Sequence, residues 1–181
     1  LFLMIAAVLV VLLRALLIRR TVLVIGVLSL AGLLSGCDKE YHSNLTPEVH
    51  ASIGQTGRGQ CEFLYPRAID IASNGTIGIV DKAGRIQLLN SDGSYRSEFA
   101  MPEIAQGKPV GLAFNAGGEL FVADTHYHRV LVFSQDGQKK REFGGYGEDA
   151  GCFIFPTDVA FCPDGRIFVS EFGGHDRVSV F

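Results

Sequence analysis

From Pro66 onward, hydrophobic residues fall in short runs of four to six, alternating or continuous, each closed by turn residues, and the runs recur. The first set passes from Pro66 through Ile69-Asp70-Ile71, Asn74-Gly75 and Ile77-Gly78-Ile79-Val80-Asp81 to Arg85-Ile86-Gln87-Leu88-Leu89, then Asp92-Gly93. The second starts at Pro109 and passes through Leu112-Ala113-Phe114, Gly117-Gly118 and Leu120-Phe121-Val122-Ala123-Asp124 to Arg129-Val130-Leu131-Val132-Phe133, then Asp136-Gly137. The third has Pro156, Val159-Ala160-Phe161, Asp164-Gly165, Ile167-Phe168-Val169-Ser170-Glu171 and Arg177-Val178-Ser179-Val180-Phe181. The prolines are 43 and then 47 residues apart, and Asp81, Asp124 and Glu171 keep the same two intervals.

Period-two runs of this length predict strands, and Asx-Gly pairs between them predict tight two-residue hairpins, because both residue types tolerate positive φ. Strand one follows the proline, strand two ends at the acidic residue, strand three begins at the arginine, and strand four follows Asp-Gly. A period in the forties with four strands matches a β-propeller blade. The expected fold is all-β: a partial propeller of three four-stranded blades (66–108, 109–155 and 156–181, the last incomplete). Gly-rich connectors join them, and one from Gly54 to Phe63 implies a blade edge before Pro66 within a linker at 37–53. A blade buries its faces only against neighbours. Three leave two open flanks, which predicts a piece of a larger propeller, with self-assembly of half-propellers as the alternative.

The N-terminal residues follow another pattern. Residues 1–13 are wholly apolar, Arg14 interrupts, and Arg19-Arg20 precede a second apolar run, Thr21 to Leu34, that ends in Leu34-Ser35-Gly36-Cys37. A basic segment, an apolar core and small residues before a cut site make an export signal, here residues 1–36. The last four residues resemble the bacterial lipobox, which implies lipidation at Cys37. The other reading is an uncleaved N-terminal hydrophobic helix, although 16 residues from Thr21 to Gly36 fall short of the ~20 that span a bilayer. Either way the expectation is an exported chain, anchored to the membrane by lipid or helix and facing the periplasm.

Charge narrows the partners. Arg14, Arg19 and Arg20 are the only charges in the first 36 residues, so the remainder holds 13 basic against 19 acidic residues. That balance disfavours nucleic acid, which needs concentrated basic surface. Lys139-Lys140-Arg141 reads as a solvated strand face. Cys61, Cys152 and Cys162 have no metal-type spacing and read as small buried hydrophobes.

The core Val122-Ala123-Asp124-Thr125 to Arg129-Val130-Leu131-Val132-Phe133, with Asp136-Gly137 and then Phe143-Gly144-Gly145 to Phe153 and Pro156, closely resembles the NHL-repeat family over residues 54–181. Gly107-Lys108-Pro109-Val110-Gly111-Leu112 with Ala123 to Tyr127 is similar to a group of exported bacterial members without an assigned activity. The resemblance implies a propeller, usually of six blades. The sequence departs from the pattern at Lys82-Ala83-Gly84, where blade one lacks the polar loop, and at Glu171, which replaces aspartate.

What recurs in every blade serves the blade. The pairs Asp81/Arg85, Asp124/Arg129 and Glu171/Arg177 therefore read as structural ion pairs, and no catalytic residue is assigned. The longer loops between strands two and three carry the chemistry that does not repeat: Lys82, Thr125, His126, Tyr127, His128, Phe172, His175 and Asp176, joined by Asp158. Arg67, Lys108 and Asp158 are expected to approach the central channel. These residues predict a binding or scaffold module at the cell envelope, displaying the loop face to a protein or glycan and requiring no cofactor. The alternative is a metal-dependent lyase or hydrolase with His126, His128 and His175 as ligands or base, since some family relatives are lyases that use a bound metal.

Overall fold

The computed structural model of the chain describes residues 48–174 and 176–181. The expected export signal or helix, Cys37, most of the 37–53 linker, and His175 lie outside the described residues. Among the described residues no helix is long and apolar enough to cross a membrane.

Within Ala51–Phe181 almost all regular structure is strand. Two short strands, β1 (Gln55–Thr56) and β2 (Glu62–Phe63), pair in parallel inside the first connector. Blade one is the antiparallel meander β3 (Pro66–Ile71), β4 (Ile77–Asp81), β5 (Arg85–Leu89), β6 (Tyr95–Ala100). Blade two is β7 (Gly111–Phe114), β8 (Leu120–Asp124), β9 (Arg129–Phe133), β10 (Lys139–Gly144), and blade three is β11 (Pro156–Phe161), β12 (Ile167–Glu171), β13 (Arg177–Val180). The fold is a partial β-propeller.

The hairpins differ from expectation in one respect. In the turn after β3, Gly75 N–H donates to the Ala72 carbonyl and Ala72 N–H donates to the Thr76 carbonyl, so the loop holds three residues, with Gly75 at φ 83°. The same pair of bonds recurs around Gly93, Gly118, Gly137 and Gly165, each at positive φ. The second residue of each Asx-Gly or Gly-Gly pair is thus the left-handed residue that closes a bulged three-residue loop, not half of a two-residue turn.

Because side chains alternate along a strand, each blade has two apolar faces. One face of blade two (Leu112, Phe114, Leu120, Val122, Leu131 and Phe133) packs on Ala72, Val80, Ile86 and Leu88 of blade one. Its other face (Ala113, Phe121, Ala123, Val130 and Val132) packs on Val159 and Val169 of blade three, with Phe161 and Ile167 beside them. Burying each Val, Leu or Phe stabilises by roughly 1.5–3 kcal/mol, so blade stacking dominates the favourable energy. Gly78 belongs to this packing. A Cβ there would sit 2.9 Å from the Phe114 ring, whereas Phe121, its counterpart in blade two, meets Phe161 edge-on at 4.8 Å. Polar ties join the innermost strands as well. Asp70 Oδ2 accepts the Phe114 N–H at 2.7 Å, and Arg67 Nη1 donates to the Lys108 and Pro109 carbonyls.

Candidate functional site

The strand two to strand three loops and the blade connectors lie together at one end of the blades, opposite the glycine hairpins. Their geometry begins with the carboxylates that close each second strand. Asp81, almost fully buried, accepts Leu64 N–H at 3.1 Å, Ala83 N–H at 2.9 Å and Arg85 Nε at 3.1 Å. Glu171 accepts Ile154 N–H at 2.5 Å and pairs with Arg177 Nε. Leu64 and Ile154 are each two residues before their blade's proline, so both carboxylates clamp the connector that precedes their own blade.

The arginines complete that grip. Arg85 donates to the carbonyls of Gly57, Arg58 and Glu62, and Arg177 donates to those of Glu148 (2.8 Å) and Cys152 (3.0 Å). Arg58 and Glu148 occupy matching places, as do Glu62 and Cys152, because Gly54 to Pro66 and Gly144 to Pro156 are equally long. The recurring ion pairs therefore fix the connectors as well as the loops, a role that pair spacing alone did not reveal.

Blade two departs from this scheme. Its preceding connector, Met101 to Pro109, has another sequence, and Asp124 is bonded only through Oδ2, to Arg129 Nε at 2.9 Å. Asp124 Oδ1 and Thr125 Oγ1 are buried without a hydrogen-bond partner. Burial pushes the Asp124 carboxyl above its ordinary range, and the hydrogen bond from Arg129 only partly opposes this. Arg129 turns its remaining donors to Glu103 and Glu142.

The predicted face residues separate into groups. Thr125 is buried and so is not part of the exposed face, a correction that follows from the turn of 3-10 helix at Thr125–Tyr127, which tucks its first side chain inward. Tyr127 is half-buried; its hydroxyl accepts Gln106 N–H and its ring lies under the Arg129 guanidinium at 5.0 Å. Lys82 is exposed, with Nζ 5.6 Å from the Tyr65 ring. Asp176 caps its own loop by accepting Gly173 N–H at 3.0 Å. Asp158 stands apart from the loop face. It sits on β11, where with Arg67, Asp70 and residues of β7 it lines a cleft of about 640 Å³ along the innermost strands. Lys108 instead bends back, its Nζ donating to the Ile104 carbonyl at 2.5 Å.

His126, His128 and Phe172 do converge, on two aromatic residues that sequence reasoning passed over. Phe155 lies 4.9 Å from the His128 ring, 5.9 Å from His126, and stacks on Phe172 at 5.4 Å. Tyr146 meets His128 at 4.9 Å. Tyr146 is 74% and Phe172 52% exposed, so a continuous aromatic surface faces solvent. Both Phe155 and His128 take positive φ, 49° and 56°. These residues come from two connector positions and two loops, too far apart in sequence for a motif to show. Phe155 N–H donates to His128 Nδ1 at 3.3 Å, which requires that nitrogen to be unprotonated. Burial, and then the charge of nearby His126, hold the His128 imidazole below its ordinary pKa. With Nδ1 so engaged, only Nε2 of His128 is open to a ligand, and among the described residues no group of three metal-ligating side chains gathers.

The repeat unit itself matches known proteins. The NHL repeat family model matches residues 107–133, the stretch from the connector through β9. The chain carries an NHL repeat in the second blade of its partial β-propeller. Protein brain tumor of Drosophila melanogaster is 32% identical over 85 residues, covering 46% of this chain and 8% of that protein. RING finger protein nhl-1 of Caenorhabditis elegans is 46% identical over 43 residues, covering 24% of this chain and 4% of that protein. The chain thus spans less than a tenth of these curated relatives. Among solved structures, one titled as a streptogramin B lyase is 18% identical with a TM-score of 0.50, covering 64% of this chain and 40% of that one. At that identity the likeness is one of fold alone.

Proposed function

We propose that this NHL propeller is a binding module at the cell envelope that engages a protein partner through the aromatic surface formed by His126, His128, Tyr146, Phe155 and Phe172. The observation that carries this reading is the exposure of contiguous rings on the loop face, where tight turns do not intrude. Aromatic residues dominate the energetic centres of protein interfaces because they bring large rigid area at low entropic cost. Loops held by a rigid scaffold are the usual place for such a surface. The apolar N-terminal stretch ending in Cys37 supports export and membrane attachment, which would place this face in the periplasm.

The test is photo-cross-linking of the full chain in a bacterial host, with a benzophenone amino acid replacing Tyr146, Phe172 or, on the opposite end, Asp92. Protein-sized adducts in the envelope fraction from positions 146 and 172, and none from 92, are expected. Equal adducts at both ends, or none from the loop face, would overturn the assignment, and an adduct that is a glycan would change the partner class.

A further inference from the structure

Blade two leaves half of its strand-closing carboxylate unused, and the connector before it is the reason. In blades one and three the residue two before the proline donates its N–H to that carboxylate: Leu64 to Asp81 at 3.1 Å and Ile154 to Glu171 at 2.5 Å. Gly107 holds that place in blade two. Its N–H has no hydrogen-bond partner among the described residues, and the fully buried Asp124 Oδ1 has none either. A buried acceptor without a donor is rare in native proteins, because its desolvation goes uncompensated. A donor and an acceptor that meet in the two neighbouring blades thus stand apart here.

The loop after β8 holds the connector off. The Tyr127 hydroxyl oxygen accepts Gln106 N–H at 3.1 Å, Glu103 pairs with Arg129, and the His126 ring lies against Gly107 so closely that a Cβ there would come within 2.2 Å of its Cγ. Leu64 and Ile154 carry side chains at the same place, so the clamped arrangement admits a Cβ and the one seen here does not. Met101 N–H and Val110 N–H donate to the Gly84 and Ala123 carbonyls, and between them no backbone–backbone hydrogen bond forms among the described residues. The segment is pinned at its ends and held between them by side chains.

We propose that the connector from Met101 to Pro109 is a two-position strap. In the position described above, the blade-two loop holds it. In the other, Gly107 N–H donates to Asp124 Oδ1, as Leu64 and Ile154 do to their carboxylates, and Gln106 leaves the Tyr127 hydroxyl. Each position makes a bond that the other breaks, so the two compete. The strap sets the loop face, because His126 and Tyr127 rest on it in the first position and lose that support in the second. An occupant that touches His126 beside Phe155 selects the first position by its differential affinity. That last consequence rests on the proposed binding function, whereas the strap itself does not.

The experiment is amide hydrogen exchange by NMR on the full chain in detergent, without a partner, for Tyr127→Phe and Gly107→Ala, each alone and combined with Asp124→Ala. Tyr127→Phe removes the hydroxyl that holds Gln106, and Gly107→Ala puts a methyl group where the His126 ring lies, so both move the strap to its clamped position. Protection of the residue 107 amide, corrected for residue type, is expected to rise about tenfold over the unsubstituted chain, the scale of one added hydrogen bond. Asp124→Ala is expected to abolish that rise in both backgrounds. Tyr127→Phe loses a single oxygen and keeps the test open if Gly107→Ala does not fold. A folded variant with no added protection at residue 107 overturns the proposal, as does protection that survives Asp124→Ala.

Discussion

Replacing Asp81 by Ala is expected to release the first connector, and the loss can be worked from its three bonds. Asp81 is the acceptor for Leu64 N–H, Ala83 N–H and Arg85 Nε, and both side chains of the ion pair are largely buried. Stranding one partner of a buried pair costs about 3–5 kcal/mol. Arg85 keeps the carbonyls of Gly57, Arg58 and Glu62 and a bond to Glu98, so the low end, about 3 kcal/mol, applies. At ~1.4 kcal/mol per tenfold, that is roughly a 100-fold loss of amide protection. Asp124→Ala makes the contrast. There Oδ1 has no partner to lose, and relief of that orphan, worth ~1–3 kcal/mol, offsets part of the broken Arg129 bond. The expected loss in β8 and β9 is below tenfold. Hydrogen exchange resolved by peptide mass on the full chain reads both. Equal losses for the two variants, or a larger one for Asp124→Ala, would refute the view that these carboxylates act by clamping connectors.

Other consequences are as specific. Cys61 holds φ 54° where the matching connector has Gly151 at φ 85°, so Cys61→Gly should stabilise by about 0.5–1 kcal/mol, the left-handed penalty less glycine's own entropy; an unfolding midpoint that falls would contradict this. Gly78→Val drives a side chain into the Phe114 ring and should destabilise by about 1–3 kcal/mol as overpacking, seen as a lower midpoint in denaturant. His128 has a depressed imidazole pKa, so the folded protein binds fewer protons than the unfolded chain just below the ordinary value of 6.5. Its contribution to stability is full above about 6.5 and is lost as pH falls through the folded value. An NMR titration should place the His128 midpoint below that of the urea-unfolded chain, and a midpoint equal or higher would remove the Phe155 N–H bond from the account.

Much of the frame was legible because each blade repeats its constraints. The acidic residues Asp81, Asp124 and Glu171 end second strands, and Arg85, Arg129 and Arg177 begin third strands, as their spacing predicts. The hairpins were misread in detail since an Asx-Gly pair suits a two-residue turn and a bulged three-residue loop alike. The site was less legible. Thr125 looks like any polar loop residue until a helical turn buries it, whereas Asp158, also counted with the loop face, lies with Arg67 along the innermost strands as its place near the start of such a strand suggested. Cys61, Cys152 and Cys162 are unpaired as expected but half-buried rather than buried, because they sit in connectors and a hairpin outside the stacked faces. Tyr146 and Phe155 lie in the connector before blade three, ten residues and one residue ahead of Pro156, where no spacing ties them to the loops. Only the approach of the His128 loop and Phe172 turns them into a surface.

Stacking of repeat-equivalent faces underlies both the fold and the placement of the loop face. Its most direct measure is a set of proton–proton NOEs across the two internal interfaces of the full chain in detergent. The account predicts cross-peaks from Gly78 Hα to the Phe114 ring and between the Phe121 and Phe161 rings. Their absence in a spectrum that shows the within-blade contacts of Ile69 with Ile79 would mean that the sheets form without stacking as described.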